Sequence, residues 1–255
     1  MSEIGVFDSG IGGVTVLREL IKVMPNEEYV YYSDSGNNPY GDKSEAEVQK
    51  LADNIVQKFL ERGCKCIVIA CNTASAIASA YLRKKYPNIL IFAIEPAYKM
   101  VWNYAPNGET VIMATDGTIK SERFNLLYNK YNNKKTTIMN CKGLANLIEK
   151  DDNEAIDKYL KKHFAGLEKV ENIVLGCTHY PLIKDKISKI LNKKVRFFDG
   201  APSMALHVKH CLEEYDLLDE EAQNKITFID SSESEEVRIQ KEKRFYEILG
   251  IKQWL

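Results

Sequence analysis

Cys66-Ile67-Val68-Ile69-Ala70-Cys71-Asn72-Thr73 and Asn172-Ile173-Val174-Leu175-Gly176-Cys177-Thr178-His179 are two versions of one phrase. Each is a short apolar run rich in β-branched residues, which reads as a buried strand. Each closes on a cysteine followed by polar residues suited to a helix start. The two cysteines lie 106 residues apart. The same shift carries Ile4–Asp8 onto Thr110–Ala114, Ser9 onto Thr115, and Val30-Tyr31-Tyr32 onto Thr136-Thr137-Ile138. Glu95 answers Asp199 at 104. Four elements in one order at nearly one offset imply two copies of one unit, at a spacing far longer than a solenoid repeat.

Working outward, strands are expected at Ile4–Phe7, Glu28–Tyr32, Cys66–Ala70 and Ile89–Ile94, then at Thr110–Ala114, Thr136–Asn140, Asn172–Leu175 and Val195–Phe198. Helices are expected at Thr15–Val23, Ser44–Arg62, Ala74–Lys85, Ser121–Tyr131, Glu154–Phe164 and Leu182–Leu191. Ser44 with Glu47 fits a capping box. Such alternation predicts an α/β fold with parallel sheets covered on both faces. The duplication makes it two similar αβ lobes related by a pseudo-twofold axis, with a site in the cleft between them. The first lobe is expected to comprise 1–97 with 208–255, and the second 98–207. Ala201–Leu255 reads as mostly helical, with helices at Pro202–Leu212 and Glu233–Leu249. The charge run on the latter is taken as a solvated face.

The 255 residues carry 35 Lys+Arg against 36 Asp+Glu, for a net charge of −1. That balance argues against nucleic acid or an anionic membrane as the main partner. No apolar run reaches the ~20 residues of a membrane-spanning helix. Met1–Phe7 lacks the features of a signal peptide and reads as a strand. The six cysteines are therefore expected to be reduced thiols, and the cytoplasm is the expected location.

In parallel α/β sheets ligands bind beyond the carboxyl ends of the strands. Those ends are Asp8-Ser9-Gly10-Ile11-Gly12-Gly13, Ser33-Asp34, Cys71-Asn72-Thr73, Thr115-Asp116-Gly117-Thr118 and Cys177-Thr178-His179. Cys71 and Cys177 each precede a helix start, which favours a thiolate and lowers its pKa. Two such thiols at related points suit a reaction that needs a base and an acid on opposite faces of one carbon, a stereoinversion by proton transfer. The alternatives are a pair of buried structural cysteines, a disulfide, a zinc site, or a single nucleophile. Zinc would require about four ligands, and neither cysteine has a CxxC partner. No metal and no cofactor is expected.

Asp8 can orient or deprotonate a thiol or hold an ammonium group, or simply cap the following helix. His179, two residues past Cys177, is placed to exchange a proton with it. His207, His210 and Cys211 share one helix face, without an evident fourth ligand for a metal. Gly10-Ile11-Gly12-Gly13 with Asp34 makes a partial dinucleotide fingerprint, broken by Thr15 at the third glycine. Its backbone N–H groups would still suit an anion, a carboxylate before a pyrophosphate. Asn37–Asp42 reads as a loop whose Tyr40 closes over a small ligand.

The strings Gly5–Val16, Asn38–Ser44, Cys71–Ala74 and Gly176–Pro181 together resemble the glutamate racemases of the cofactor-independent aspartate/glutamate racemase family, over essentially the whole chain. The resemblance implies two αβ lobes and interconversion of L- and D-glutamate, supplying D-glutamate for peptidoglycan. It implies that Cys71 and Cys177 are the two acid/base thiols, assisted by Asp8 and His179 respectively. It implies that Asp8, Ser9, Tyr40, Gly41, Asn72, Thr73, Thr178 and His179 bind the substrate's amino and carboxylate groups, with Thr115 and Thr118 completing the polar lining. Glu149 matches a family acidic position near the second thiol. A homodimer is expected. Ala114 stands where the family usually has Gly, and Cys141–Glu149 lacks the family's prolines. The two sulfurs should stand roughly 6–8 Å apart, each within ~3–3.5 Å of the reacting carbon. Racemisation of aspartate, a two-lobe binding protein without turnover, and a nucleotide-dependent enzyme are the competing readings.

Overall fold

The structure, a computed structural model, describes residues 3–131, 134–219 and 225–250. Met1 and Ser2 of the opening stretch, and parts of the Ala201–Leu255 remainder (220–224 and 251–255), lie outside the described residues. Strands β1 (Ile4–Asp8), β2 (Tyr29–Ser33), β3 (Cys66–Ile69) and β4 (Leu90–Ala93) alternate with helices α1 (Val14–Val23), α2 (Glu45–Glu61) and α3 (Asn72–Lys85). A second series follows: α4 (Tyr98–Tyr104), β5 (Thr110–Ala114), α5 (Asp116–Lys120), α6 (Glu122–Tyr131), β6 (Thr136–Asn140), α7 (Leu144–Glu149) and α8 (Asn153–Phe164). It is completed by β7 (Asn172–Gly176), α9 (Lys184–Leu191) and β8 (Arg196–Phe198). Helix α10 (Ala201–Glu214), strand β9 (Ile226–Asp230) and helix α11 (Glu235–Leu249) end the chain.

The duplication is visible in the strand order. One sheet runs β4-β3-β1-β2-β9 and the other β6-β5-β7-β8, so the fourfold core has the same order in each, and every pairing is parallel. The registers match as well. Ile4 pairs with Tyr29 and Cys66, and its counterpart Thr110 pairs with Thr136 and Asn172. In both sheets the central strand has its sequence successor on one side and a crossover strand on the other. That is the switch point at which a crevice opens.

β1, β3, β5 and β7 are buried throughout. This is why they read as unbroken apolar runs and not as alternating ones. Ile4, Val6 and Val68 pack under α1, α10 and α11, while Phe7, Ile67 and Ile69 pack under α2 and α3. In the second sheet Val111, Met113 and Ile173 face α7, α8 and α9, and Ile112 and Val174 face α4 and α6. Ser44 closes a full capping box with Glu47 at the head of α2.

Three expectations need correction. The C-terminal remainder is not only helical: β9 adds a fifth parallel strand beside β2. Its half-buried edge position removes the strong apolar signal by which a central strand announces itself. The charged face of α11 is not merely solvated, because Lys241 and Arg244 bind groups on α7. Asp8 does not cap α1; Gly13 occupies that position, and the Asp8 carboxylate is engaged elsewhere. Apart from these three, helix α10 spans the expected junction at 207/208. That helix seats Ala201, Met204 and Ala205 in the core of the first sheet.

Candidate active site

The carboxyl ends of β1 and β3 in one sheet face those of β5 and β7 in the other across a cleft lined by residues of both lobes, the usual place for a ligand in parallel α/β sheets. Cys71 and Cys177 both line it, together with Ser9, Tyr40, Gly41, Asn72, Thr73, Thr115, Thr178 and His179. Neither cysteine is in a disulfide. Asp8 and Thr118 are fully buried behind this lining. Asp8 accepts hydrogen bonds from the Ser9 amide at 2.7 Å and the Thr178 hydroxyl at 2.9 Å. Thr118 shares a hydrogen bond with Thr115 Oγ1 at 2.9 Å.

Hydroxyl contacts are among those that tie the lobes together at the cleft. Thr178 of the second lobe donates to Asp8 of the first, and Thr73 of the first meets Thr115 of the second at 2.9 Å. Tyr40 does not act as a mobile cover. It is 1% exposed, and its hydroxyl donates to Asp34 Oδ2 at 2.5 Å. Asp34 is thereby used to hold the Tyr40 wall in place.

The environments of the two thiols differ. Cys71 heads α3, beside Ser9 Oγ at 3.6 Å. Burial, reinforced by the Asp8 carboxylate, pushes its thiol up. The expected lowering by the helix start is present in the backbone at Ala74 but is outweighed, because desolvation penalises a thiolate more than a few amide dipoles favour it. Burial also raises the Asp8 carboxyl, against the opposing pull of His179 and Thr178.

Cys177 sits 3.8 Å from His179 Nδ1, and His179 Nε2 lies 2.6 Å from Glu149 Oε2. Burial alone would pull the His179 imidazolium down, but the bonds to Cys177 and Glu149 hold it well above its ordinary value. Glu149 is buried too. Even so, His179 and Lys241 hold its carboxyl down to about 2. The second thiol therefore stands beside an imidazole backed by a carboxylate, the arrangement that orients a thiol–imidazole pair.

The glycine run has a different use from the one its fingerprint suggests. A Cβ on Gly12 would lie 2.4 Å from His179 Nδ1, and one on Gly10 would lie 2.7 Å from Glu149 Oε2. The amide of Ile11 donates to Glu149 Oε2 at 3.1 Å. The anion held by this loop is the protein's own carboxylate, and the room a phosphate would need is filled by Glu149 and His179. Among the described residues no group of three or more His, Cys, Asp or Glu could hold a metal; on the His207, His210 and Cys211 face, Cys211 meets His207, His210 meets Glu214, and the His207 ring packs edge-on against Phe92.

Asn72 is 3% exposed and lines the cleft, yet neither its Oδ1 nor its Nδ2 has a hydrogen-bond partner. A buried amide with both ends unmatched is costly unless a ligand completes it. Asn72→Ala should therefore raise KM about tenfold or more, a loss of roughly 1.5–3 kcal/mol for a hydrogen bond to a charged group, with little change in folding stability. Steady-state kinetics beside a thermal melt checks both.

Lys142, Gly143 and Asn146, in the stretch without the family's prolines, also line the cleft, with Gly143 in a left-handed conformation at the head of α7. Asp116 turns toward Lys120 and Asn140. Lys241 was missed from sequence. The only signal was a lysine in a charged helix, and the carboxylate it reaches is 92 positions away.

Two parallel α/β lobes that open a shared polar cleft between their strand ends define the class of fold, that of the racemases. The chain belongs to the Asp/Glu/hydantoin racemase family, whose sequence profile matches residues 4–210. It is 41% identical over 240 residues to a glutamate racemase of Clostridium botulinum, covering 92% of this chain and 93% of the relative. It is 43% identical over 214 residues to one of Clostridium novyi, covering 82% and 83%. Among solved structures it is similar to a glutamate racemase of Bacillus anthracis, with TM-score 0.83, 28% identity and 98% and 94% of the two chains covered. It is also similar to that of Francisella tularensis in complex with D-glutamate, with TM-score 0.81, 29% identity and coverage of 99% and 95%.

Proposed function

We propose that this chain interconverts L- and D-glutamate by proton transfer between Cys71 and Cys177, with no cofactor. The observation that carries the reading is the pair of thiols, one from each lobe, lining a single cleft. In the forward direction one cysteine, as thiolate, takes the α-proton. The C–H bond breaks, an S–H bond forms, and the electron pair is drawn into the α-carboxylate. The opposite thiol then delivers its proton to the other face of the carbon. In the reverse direction the two exchange roles.

The difficulty is electrostatic, since negative charge builds up beside a carboxylate. Amides and hydroxyls of the cleft, with the Asn72 side chain, are preorganised to stabilise it without reorganising water. Asp8 and His179 serve Cys71 and Cys177 respectively, and Ser9, Tyr40, Gly41, Thr73, Thr115, Thr118 and Thr178 shape and bind. The glutamate racemases to which the chain is similar support glutamate over aspartate. A role in supplying D-glutamate for peptidoglycan, a cytoplasmic location and a homodimer belong to the same reading. Trp102, Tyr104 and Leu126, exposed on the adjoining α4 and α6, support the dimer. No helix among the described residues is long and apolar enough to cross a membrane. The lobe division at 1–97 with 208–255, and 98–207, stays a proposal, with α10 crossing its 207/208 junction to pack on the first sheet.

Incubation of purified protein with L-glutamate in deuterated buffer tests the reading. The expected result is D-glutamate carrying α-deuterium, at a rate well above that with L-aspartate. Racemisation of aspartate alone, or binding with neither product nor exchange, would sink it.

A further inference from the structure

We infer that Lys241, on the C-terminal helix α11, is a positioning residue for Cys177, acting through Glu149 and His179. The inference rests on the two-thiol reading and deepens it. α11 belongs to the first lobe. Phe245 and Tyr246 bury it in that core, against β9 and α1. From there Lys241 crosses to the second lobe and binds Glu149 Oε1. Three residues along the same helix face, Arg244 binds the main-chain carbonyls of Ile148 and Glu149, the latter through Nη1 and the former through Nη2 at 2.7 Å. Those carbonyls close the C-terminal end of α7, where Ile148 O also accepts the Asp151 amide at 3.1 Å. Two cations thus fix both the end of the helix and the side chain that ends it.

The two carboxylate oxygens of Glu149 are divided between different partners. Oε1 takes Lys241, while Oε2 takes His179 Nε2 at 2.6 Å and the Ile11 amide at 3.1 Å. With Oε1 held, the carboxylate cannot turn its second oxygen away from His179, and the imidazole keeps its Nδ1 toward Cys177. Other groups facing this relay are Asp8 and Tyr31, from the first sheet. None of them reaches Oε1. The three charged links are well enclosed, with His179 2%, Glu149 6% and Lys241 19% exposed. Cys71 has no such relay; it lies beside Ser9.

This asymmetry makes the test. In an achiral buffer the two enantiomers have equal free energy, so kcat/KM must stay equal in both directions in any variant. The two halves are separated by α-proton exchange in single-thiol backgrounds. In Cys71→Ser only Cys177 can exchange, and in Cys177→Ser only Cys71. Adding Lys241→Met should lower exchange about tenfold to a hundredfold in the Cys71→Ser background, the scale of a misplaced catalytic group. In the Cys177→Ser background exchange should stay within about twofold. Lys241→Arg should restore most of the loss. Equal losses in both backgrounds would mark Lys241 as merely structural and overturn the proposal, as would no loss in either. Absence of exchange in both single-thiol parents would instead refute the two-thiol reading, and this proposal with it.

Discussion

Cys71→Ser and Cys177→Ser should each lose racemisation in both directions, by about 10²–10⁴-fold, the contribution of a general acid or base at such a step. The loss must be bidirectional because each turnover uses both sulfurs, one to remove a proton and one to return it. A serine hydroxyl has nearly the same shape but will not ionise usefully near neutral pH. The fold should tolerate it, since both cysteines sit at strand ends against the cleft and not in the middle of a sheet. Each variant should retain α-proton exchange on one enantiomer only, and the two variants should differ in which. Chiral chromatography with proton NMR in deuterated buffer reads both quantities. Full racemisation by either single variant would refute the pairing.

The second large effect is expected at a residue with no side chain. Gly12→Ala should reduce kcat by about 10²-fold while the protein still folds. The added methyl would stand 2.4 Å from His179 Nδ1, so the ring must move by roughly 1 Å, and misplacement of that order costs about a hundredfold. His179 is 2% exposed and bonded to Glu149, so it cannot swing into solvent to make room. Overpacking of this kind lowers stability by about 1–3 kcal/mol. The expected signature is thus a depressed kcat at a modestly reduced melting temperature. In the Cys177→Ser background, where His179 has lost its thiol, the same change should leave α-proton exchange by Cys71 close to its parent value. A normal kcat for Gly12→Ala would show that the His179 ring position does not matter to turnover.

The repeat was legible because its signals are local. A buried parallel strand is an unbroken apolar run, and a strand end is marked by the residue after it, so Cys71 and Cys177 could be aligned at one offset before any coordinates. The order β4-β3-β1-β2, repeated as β8-β7-β5-β6, bears out the two-unit reading. Strand β9 escaped it because an edge strand buries only part of each side chain and loses the pattern. The glycine run was read as a cradle for a ligand's anion, a carboxylate before a pyrophosphate, because its spacing is shared by any loop that something must approach closely. What approaches is a histidine and a carboxylate from the other lobe.

From its amino acids alone, then, this chain declares two α/β units, a polar crevice at their strand ends and one thiol from each unit, because strands, caps and strand-end residues follow from neighbours in sequence. Tertiary packing alone decided the rest. It pushed the Cys71 thiol up by burial beside Asp8, brought Glu149 to His179, and brought Lys241 to Glu149. Desolvation and ion pairing depend on which distant segments exclude water from one another, and no local pattern of residues carries that information.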